Sequence, residues 1–248
     1  VISVSCDLQG STGMGPFHKE CPENSIDIGI AESNMVSTAA GLSKAGFIPV
    51  VDTFAAFGVT KGNLPHVMAS LSSCPMVAVY SHTGFQDAAD GASHQSTTYL
   101  ANMSSIPNTK VIVVSTSKEA EMLMTEAIES IEYARKNDTE ANSFIFFVGR
   151  ESFPEFYNES LKYKVGAAQT IIEGTDGVIV SNGPLLPKAI QAAELLKAQG
   201  KSITVINNAT VNSPDLKTIG DALKANSNKL ITIEDHQVIG GMGAQLIH

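Results

Sequence analysis

Short runs of β-branched and aromatic residues recur along the chain at 2–6, 48–52, 76–81, 110–114, 144–149, 177–181, 202–206 and 229–234. The stretches between them carry helical patterning, and this alternation constrains the fold more than any other feature. Strands separated by helices pair in parallel, because each helix carries the chain back across the sheet. Such a sheet is covered on both faces, so its strands read as nearly unbroken apolar runs. Helices are expected at 30–45, 94–102, 117–136, 184–199 and 214–225. In the third of these, Met122, Ile128 and Ile131 recur near the helical period, and Thr116 with Glu119 forms a capping box. The fourth opens with prolines and closes on Gly200, a stop signal.

The alternation breaks over 151–168, ESFPEFYNESLKYKVGAA, which is aromatic and polar. The expected organisation is therefore α/β with two domains, each a largely parallel sheet flanked by helices: 1–155, a linker at 156–168, and 169–248. Only three strands are expected in the second domain, few for an independent sheet, which predicts a missing C-terminal piece. Val1 in place of a methionine, and His248 just after a first helical turn, give the same expectation of cut ends.

Composition excludes some classes of function. Hydrophobic residues make up 43% and charged residues 17%, a globular balance. The net charge of -9 argues against a cationic surface for nucleic acid, though not against a local basic pocket. No apolar run approaches the ~20 residues needed to span a bilayer, and the chain opens on VISVSCD without a charged and apolar leader. Cys6, Cys21 and Cys74 are irregularly spaced, matching neither a CxxC pair nor a zinc pattern. They are expected to be reduced thiols in a cytoplasmic protein.

Three segments carry the chemistry. IDIGIAESNM places Glu32 at a strand-to-helix junction, where an acid among apolar neighbours can stay protonated near neutrality and donate a hydrogen bond. The plainer reading is a first-turn acid that suits the helix dipole. VDTFAAFGVTKG sets Phe54 and Phe57 three residues apart, sharing a face if the segment is helical; such pairs are more often core than cofactor platform. SHTGFQDAADGASHQS follows a strand directly, and parallel-sheet enzymes bind ligands outside such strand ends. It gathers His82, Asp87, Asp90 and His94, which could also hold a metal, although the spacing fits no closed zinc site.

In this order, GIAESNM, TFAAF and SHTGFQDAADGASHQ resemble the pyrimidine-binding domain of the transketolase family. The likeness continues through SSIPNTKVIVVSTSKEAE and VGRES to EDHQVIGGMGAQL, and so covers nearly the whole chain. It implies a transferase of the pentose phosphate pathway that moves a two-carbon ketol unit between sugar phosphates through the thiamine-diphosphate ylid. It also implies that Glu32 hydrogen-bonds the aminopyrimidine, that Phe57 stacks on it, that Phe54 lines the pocket, and that Asp7 lies near the cofactor. By the same resemblance Asp90 and His94 meet hydroxyls beside the scissile bond, while His82, Arg150 and Ser11 meet the distal phosphate. The family holds its diphosphate through Mg2+ or Ca2+, and those ligands are expected on a pyrophosphate-binding domain that this chain lacks. No metal ligand is assigned here. The site is accordingly expected at an interface with that domain or subunit, in a homodimer or heterotetramer.

The chain departs from the family at 58–68, GVTKGNLPHVM, and has Thr60 where an aromatic residue is common, which bears on cofactor contacts and substrate preference. TDG at 175–177, followed by Asn207 and Asn208, imitates a diphosphate motif but precedes a strand instead of following one, and is rejected. Alternatives from the same chemistry are a 1-deoxyxylulose-5-phosphate synthase or the β subunit of a 2-oxoacid dehydrogenase. An alternative from another class is a non-catalytic paralogue that binds a partner.

Overall fold

In the computed structural model, which describes residues 1–152, 154–155 and 161–247, the strands form two sheets. The first part of the expected linker, residues 156–160, lies outside the described residues, as do residue 153 and His248. The first sheet contains β1 (Ile2–Ser5), β2 (Ser25–Asp27), β3 (Pro49–Phe54), β4 (Val77–Ser81), β5 (Thr109–Val113) and β6 (Ser143–Phe147). Their order is β2-β1-β3-β4-β6-β5, and every pairing is parallel. Around it lie α1 (Gln9–Thr12), α2 (Gly15–Glu20), α3 (Glu32–Lys44), α4 (Ala55–Lys61), α5 (Asn63–Leu71), α6 (Tyr99–Met103) and α7 (Ser117–Lys136).

The second sheet contains β7 (Gln169–Ile172), β8 (Gly177–Ser181), β9 (Ile203–Asn207) and β10 (Leu230–Ile233), in the order β10-β8-β9-β7. Its helices are α8 (Leu186–Ala198), α9 (Leu216–Ala225) and α10 (Met242–Ile247). The expectation of three strands needs correction: β7 is a fourth, antiparallel to β9 at the sheet edge. It is short and only half-buried, so its sequence lacks the apolar run of the central strands.

Both faces of the first sheet are covered, and successive residues of a strand serve opposite sides. On one side Val4, Val51, Ala78, Val113 and Ile145 share a buried cluster with Met35, Val36 and Ala39 of α3. On the other, Val79, Ile112 and Phe146 pack against Leu123, Ala127 and Ile131 of α7. The first cluster continues into Val178, Val180 and Ile206, so the two sheets share one core. Backbone bonds join them too: Val113 N–H donates to Ala209 O at 2.9 Å, and Val211 N–H to Val111 O at 2.8 Å. The second domain thereby covers β5, the edge strand of the first sheet.

The expected capping box of α7 forms, with one change. Thr116 Oγ1 accepts from Glu119 N–H at 3.0 Å, but the Glu119 carboxylate reaches back to Ser115 N–H at 2.7 Å and crosses to Asn207 Nδ2 at 2.7 Å. The helix expected at 94–102 is instead α6, beginning at Tyr99. Upstream, His94 and Gln95 N–H both turn back to Gly91 O, which keeps that stretch in the loop.

Candidate functional site

The C-terminal ends of five strands of the first sheet converge on one edge, where a doubly covered parallel sheet presents its loops. Asp7 and Ser11 follow β1, Glu32 follows β2, Phe54 ends β3 with Phe57 just beyond it, the 82–96 loop follows β4, and Arg150 follows β6. The candidate site residues named from the sequence therefore lie at this edge.

Glu32 opens α3 and its side chain is 4% exposed. Its surroundings are not wholly apolar, contrary to expectation: Lys61 Nζ stands 3.5 Å from Glu32 Oε2. Phe54 and Phe57 do not share a helix, because Phe54 is the last residue of β3 and extended while Phe57 lies in α4. The strand-to-helix turn still brings their rings to 6.5 Å with 24° between the planes. Gly58 makes this turn possible, since a Cβ there would lie 2.7 Å from the Tyr80 ring.

The two histidines complete an aromatic group. His82 stacks on Phe54 at 3.9 Å, and His94 meets the Phe57 ring edge-on at 5.1 Å. His82 has φ of 61°, a left-handed conformation costing about 1–2 kcal/mol for a residue with a Cβ. A 2.8 Å hydrogen bond between Ser81 Oγ and His82 Nδ1 supports it. Burial pulls the His82 imidazole below its ordinary pKa, against the raising effect of Asp87, and so favours the neutral ring.

A cleft of about 460 Å³ is lined by Ser11, Thr12, Ser81, His82, Gly149 and Arg150, among others. It is bordered by all three residues that the family resemblance assigns to the distal phosphate, Ser11, His82 and Arg150. Asp90 is exposed on the same loop, and Asp7 is exposed at the end of β1. The Asp7 N–H donates to Asp27 Oδ1 at 3.0 Å, an oxygen that also accepts from Gly29 N–H at 2.9 Å.

Several supporting residues carry no local sequence signal of their role. Asp87, fully buried, forms an ion pair with Arg150 Nε at 3.3 Å and accepts from Asp90 N–H at 3.3 Å. Gln86 Oε1 accepts from Arg150 N–H at 2.9 Å, pinning the arginine's backbone. Thr12 Oγ1 donates to buried Asp52 at 2.6 Å, fixing the helix that carries Ser11. From the second domain, Asp235 Oδ1 accepts from Phe85 N–H at 3.1 Å, His236 Nε2 accepts from Leu100 N–H at 3.2 Å, and Gln237 N–H donates to Thr97 O at 3.2 Å. Gly84 has φ of 67° and lies so close to Asp235 that a Cβ would overlap the carboxylate. Such long-range contacts, up to 150 residues apart in sequence, leave no periodic trace.

Among the described residues no group of three or more His, Cys, Asp or Glu side chains is placed to hold a metal ion. The TDG segment lies at the opposite end of its sheet from Asn207. Gly177 pairs with Ile203 and Ser181 with Asn207, so Asp176 and Asn207 are separated by about 17 Å along parallel strands. Asp176 instead accepts from Ser202 N–H at 2.7 Å.

Comparison with known proteins gives a consistent answer. The family of the transketolase pyrimidine-binding domain matches residues 1–136, and that of the transketolase C-terminal domain matches residues 166–248. Human transketolase is 32% identical over 249 residues, covering 98% of this chain and 38% of the human protein. One of the separate subunits of the apulose-4-phosphate transketolase of Phocaeicola vulgatus is 28% identical over 252 residues, covering all of this chain and 76% of that polypeptide. This chain thus spans little more than a third of the human protein but three quarters of a separate subunit. Among solved structures, a split-gene transketolase described as an inactive β4 tetramer superposes with a TM-score of 0.82 at 30% identity, over 99% of this chain and 76% of that one. The chain belongs to the transketolase family, as a pyrimidine-binding domain followed by a C-terminal domain.

Proposed function

We propose that this chain is one component of a transketolase that moves a two-carbon ketol unit between sugar phosphates once another chain or segment supplies the diphosphate-binding domain. The observation that carries the reading is a buried carboxyl, Glu32, sharing the sheet edge with the half-buried ring of Phe57 and with His82, His94 and Arg150. An aminopyrimidine suits that combination, since its ring needs an aromatic face and its ring nitrogen a carboxyl partner.

Thiamine diphosphate, when bound, supplies the electron sink for cleaving the sugar's carbon–carbon bond. The residues of this chain bind and orient. Glu32 hydrogen-bonds the pyrimidine nitrogen. Phe57 stacks on the ring, and Phe54, 8% exposed, backs the site and excludes water. His94 and Asp90 hold the hydroxyls beside the bond that breaks, with His94 able to take or return a proton there. Ser11, neutral His82 and Arg150 receive the distal phosphate, and the guanidinium brings the charge. Asp7 contributes at the cofactor's edge. The ligands for Mg2+ or Ca2+ fall to the diphosphate-binding partner.

The subunit-sized relatives support a two-polypeptide arrangement, either a homodimer of composite sites or a heterotetramer. Three free, irregularly spaced cysteines support a reducing compartment, the cytoplasm. The test is reconstitution with a diphosphate-binding subunit, thiamine diphosphate and Mg2+, using xylulose 5-phosphate and ribose 5-phosphate. Sedoheptulose 7-phosphate should form only when both chains are present. A complex that binds the cofactor but transfers no ketol unit to any aldose phosphate would refute the assignment.

A further inference from the structure

Lys61 lies in the last turn of α4, within the stretch where the chain departs from its family. A lysine at a helix C-terminus is ordinarily a solvated end that suits the dipole, and this side chain is indeed 55% exposed. Its head group is placed more specifically. Nζ is 3.5 Å from buried Glu32 Oε2 and 5.2 Å from the centroid of the Phe57 ring. The Lys61 carbonyl also accepts from Ser33 Oγ at 2.6 Å, which ties the end of α4 to the start of α3.

Glu32 and Phe57 are the two groups the proposed function assigns to the aminopyrimidine. A ring stacked on Phe57 needs its centroid within about 4.5–7 Å of the phenylalanine centroid, the shell in which Nζ stands. A hydrogen bond to Glu32 needs the carboxyl that Nζ now faces.

We propose that Lys61 is a placeholder for the cofactor's pyrimidine, pairing with Glu32 over Phe57 and leaving that position when the cofactor enters. The inference rests on the proposed function. Displacement of Nζ into water is feasible because the side chain is largely exposed, whereas buried Glu32 cannot follow it. Breaking the pair opposes cofactor binding, so Lys61 sets how tightly and how fast the assembled enzyme loads. Because Nζ must move only for the pyrimidine, the effect falls on cofactor uptake more than on turnover by the loaded enzyme.

The test is calorimetric titration of thiamine diphosphate, at fixed Mg2+, into the complex of this chain with its diphosphate-binding partner. Wild type, Lys61→Met and Lys61→Arg are compared. Methionine keeps the apolar stem and removes the charge; arginine restores it. The account predicts that K61M binds the cofactor about five- to tenfold more tightly and loads faster, and that K61R returns toward wild type. Equal affinity in all three would make Lys61 a plain helix-end lysine, and weaker binding by K61M would make it a cofactor ligand; either result overturns the inference while leaving the transketolase reading intact. A wild-type complex that takes up no thiamine diphosphate would overturn both.

Discussion

Five strands of the first sheet end at the candidate site: Ser11, His82 and Arg150 line a cleft, Phe57 and His94 are half-buried, and Glu32 is buried beside Lys61. The same edge of the second sheet is also polar, and most of its groups are occupied internally, buried Asn182 Oδ1 being an exception. Ser181 Oγ donates to Ile233 O at 2.8 Å, and Asn208 Nδ2 to Thr210 O at 3.3 Å. Asn207 holds Glu119, Glu234 accepts from the N–H groups of Met242 and Gly243, and Asp235 holds Phe85. Strand-end position alone does not make a site. In the first sheet the partners of these groups lie close in sequence or at the surface, as with Ser81 and His82, Ser93 and His94, or exposed Lys61 and Glu32, and a cleft opens beside them. In the second sheet the groups brace the protein, and part of that bracing reaches the loop carrying Asp90 and His94.

This contrast can be broken experimentally. In the reconstituted enzyme, Arg150→Leu should raise KM for the phosphorylated acceptor about 10- to 100-fold with a much smaller change in kcat, as expected for losing a charged contact to a non-reacting group. A fall in kcat alone would move Arg150 from binding to chemistry. Asp235→Ala should cost about 1 kcal/mol in stability by removing the acceptor of the part-buried Phe85 N–H. It should also speed amide exchange across 84–96 and lower kcat/KM severalfold. Full activity with unchanged exchange would show that the second sheet does not brace the loop.

The third effect is smaller and depends on pH. Burial raises Glu119 from an ordinary carboxyl to a pKa of about 7, against the lowering effect of its bonds to Ser115 and Asn207. The folded chain therefore binds this proton more tightly than the unfolded chain does. Its stabilising contribution is complete below about 4.5 and is lost as pH rises through about 7. Glu119→Gln should remove that slope, so the stability difference between wild type and variant should change across pH 4.5–7 and level off above it. A parallel pair of melting curves over that range would contradict the burial argument.

Much of this was legible in the sequence because parallel central strands are apolar on both faces. VAVYS and SFIFF could hardly be anything else, and both are buried throughout. The elements that escaped are short or compositionally misleading. β2 has three residues; β7 is a half-buried edge strand; α4 and α5, with the residue between them, contain Gly58, Gly62 and Pro65, which read as loop. Gly58 is required by the Tyr80 ring against it, a demand made by a strand some twenty residues later. At the site, the groups facing outward were legible as motifs. Their supports, Asp87 beneath Arg150, Asp235 beneath Phe85 and Lys61 beside Glu32, were not, since each contact joins residues distant in sequence.

The central claim is that the chemistry of the assembled enzyme depends on the carboxyl of Glu32 at the first sheet's edge. The most direct measurement is ketol transfer by the reconstituted complex carrying Glu32→Gln, which keeps the side chain's size and removes the acid. The account predicts a loss of at least about 100-fold in turnover, with melting temperature and subunit assembly unchanged. Turnover within twofold of wild type would contradict it.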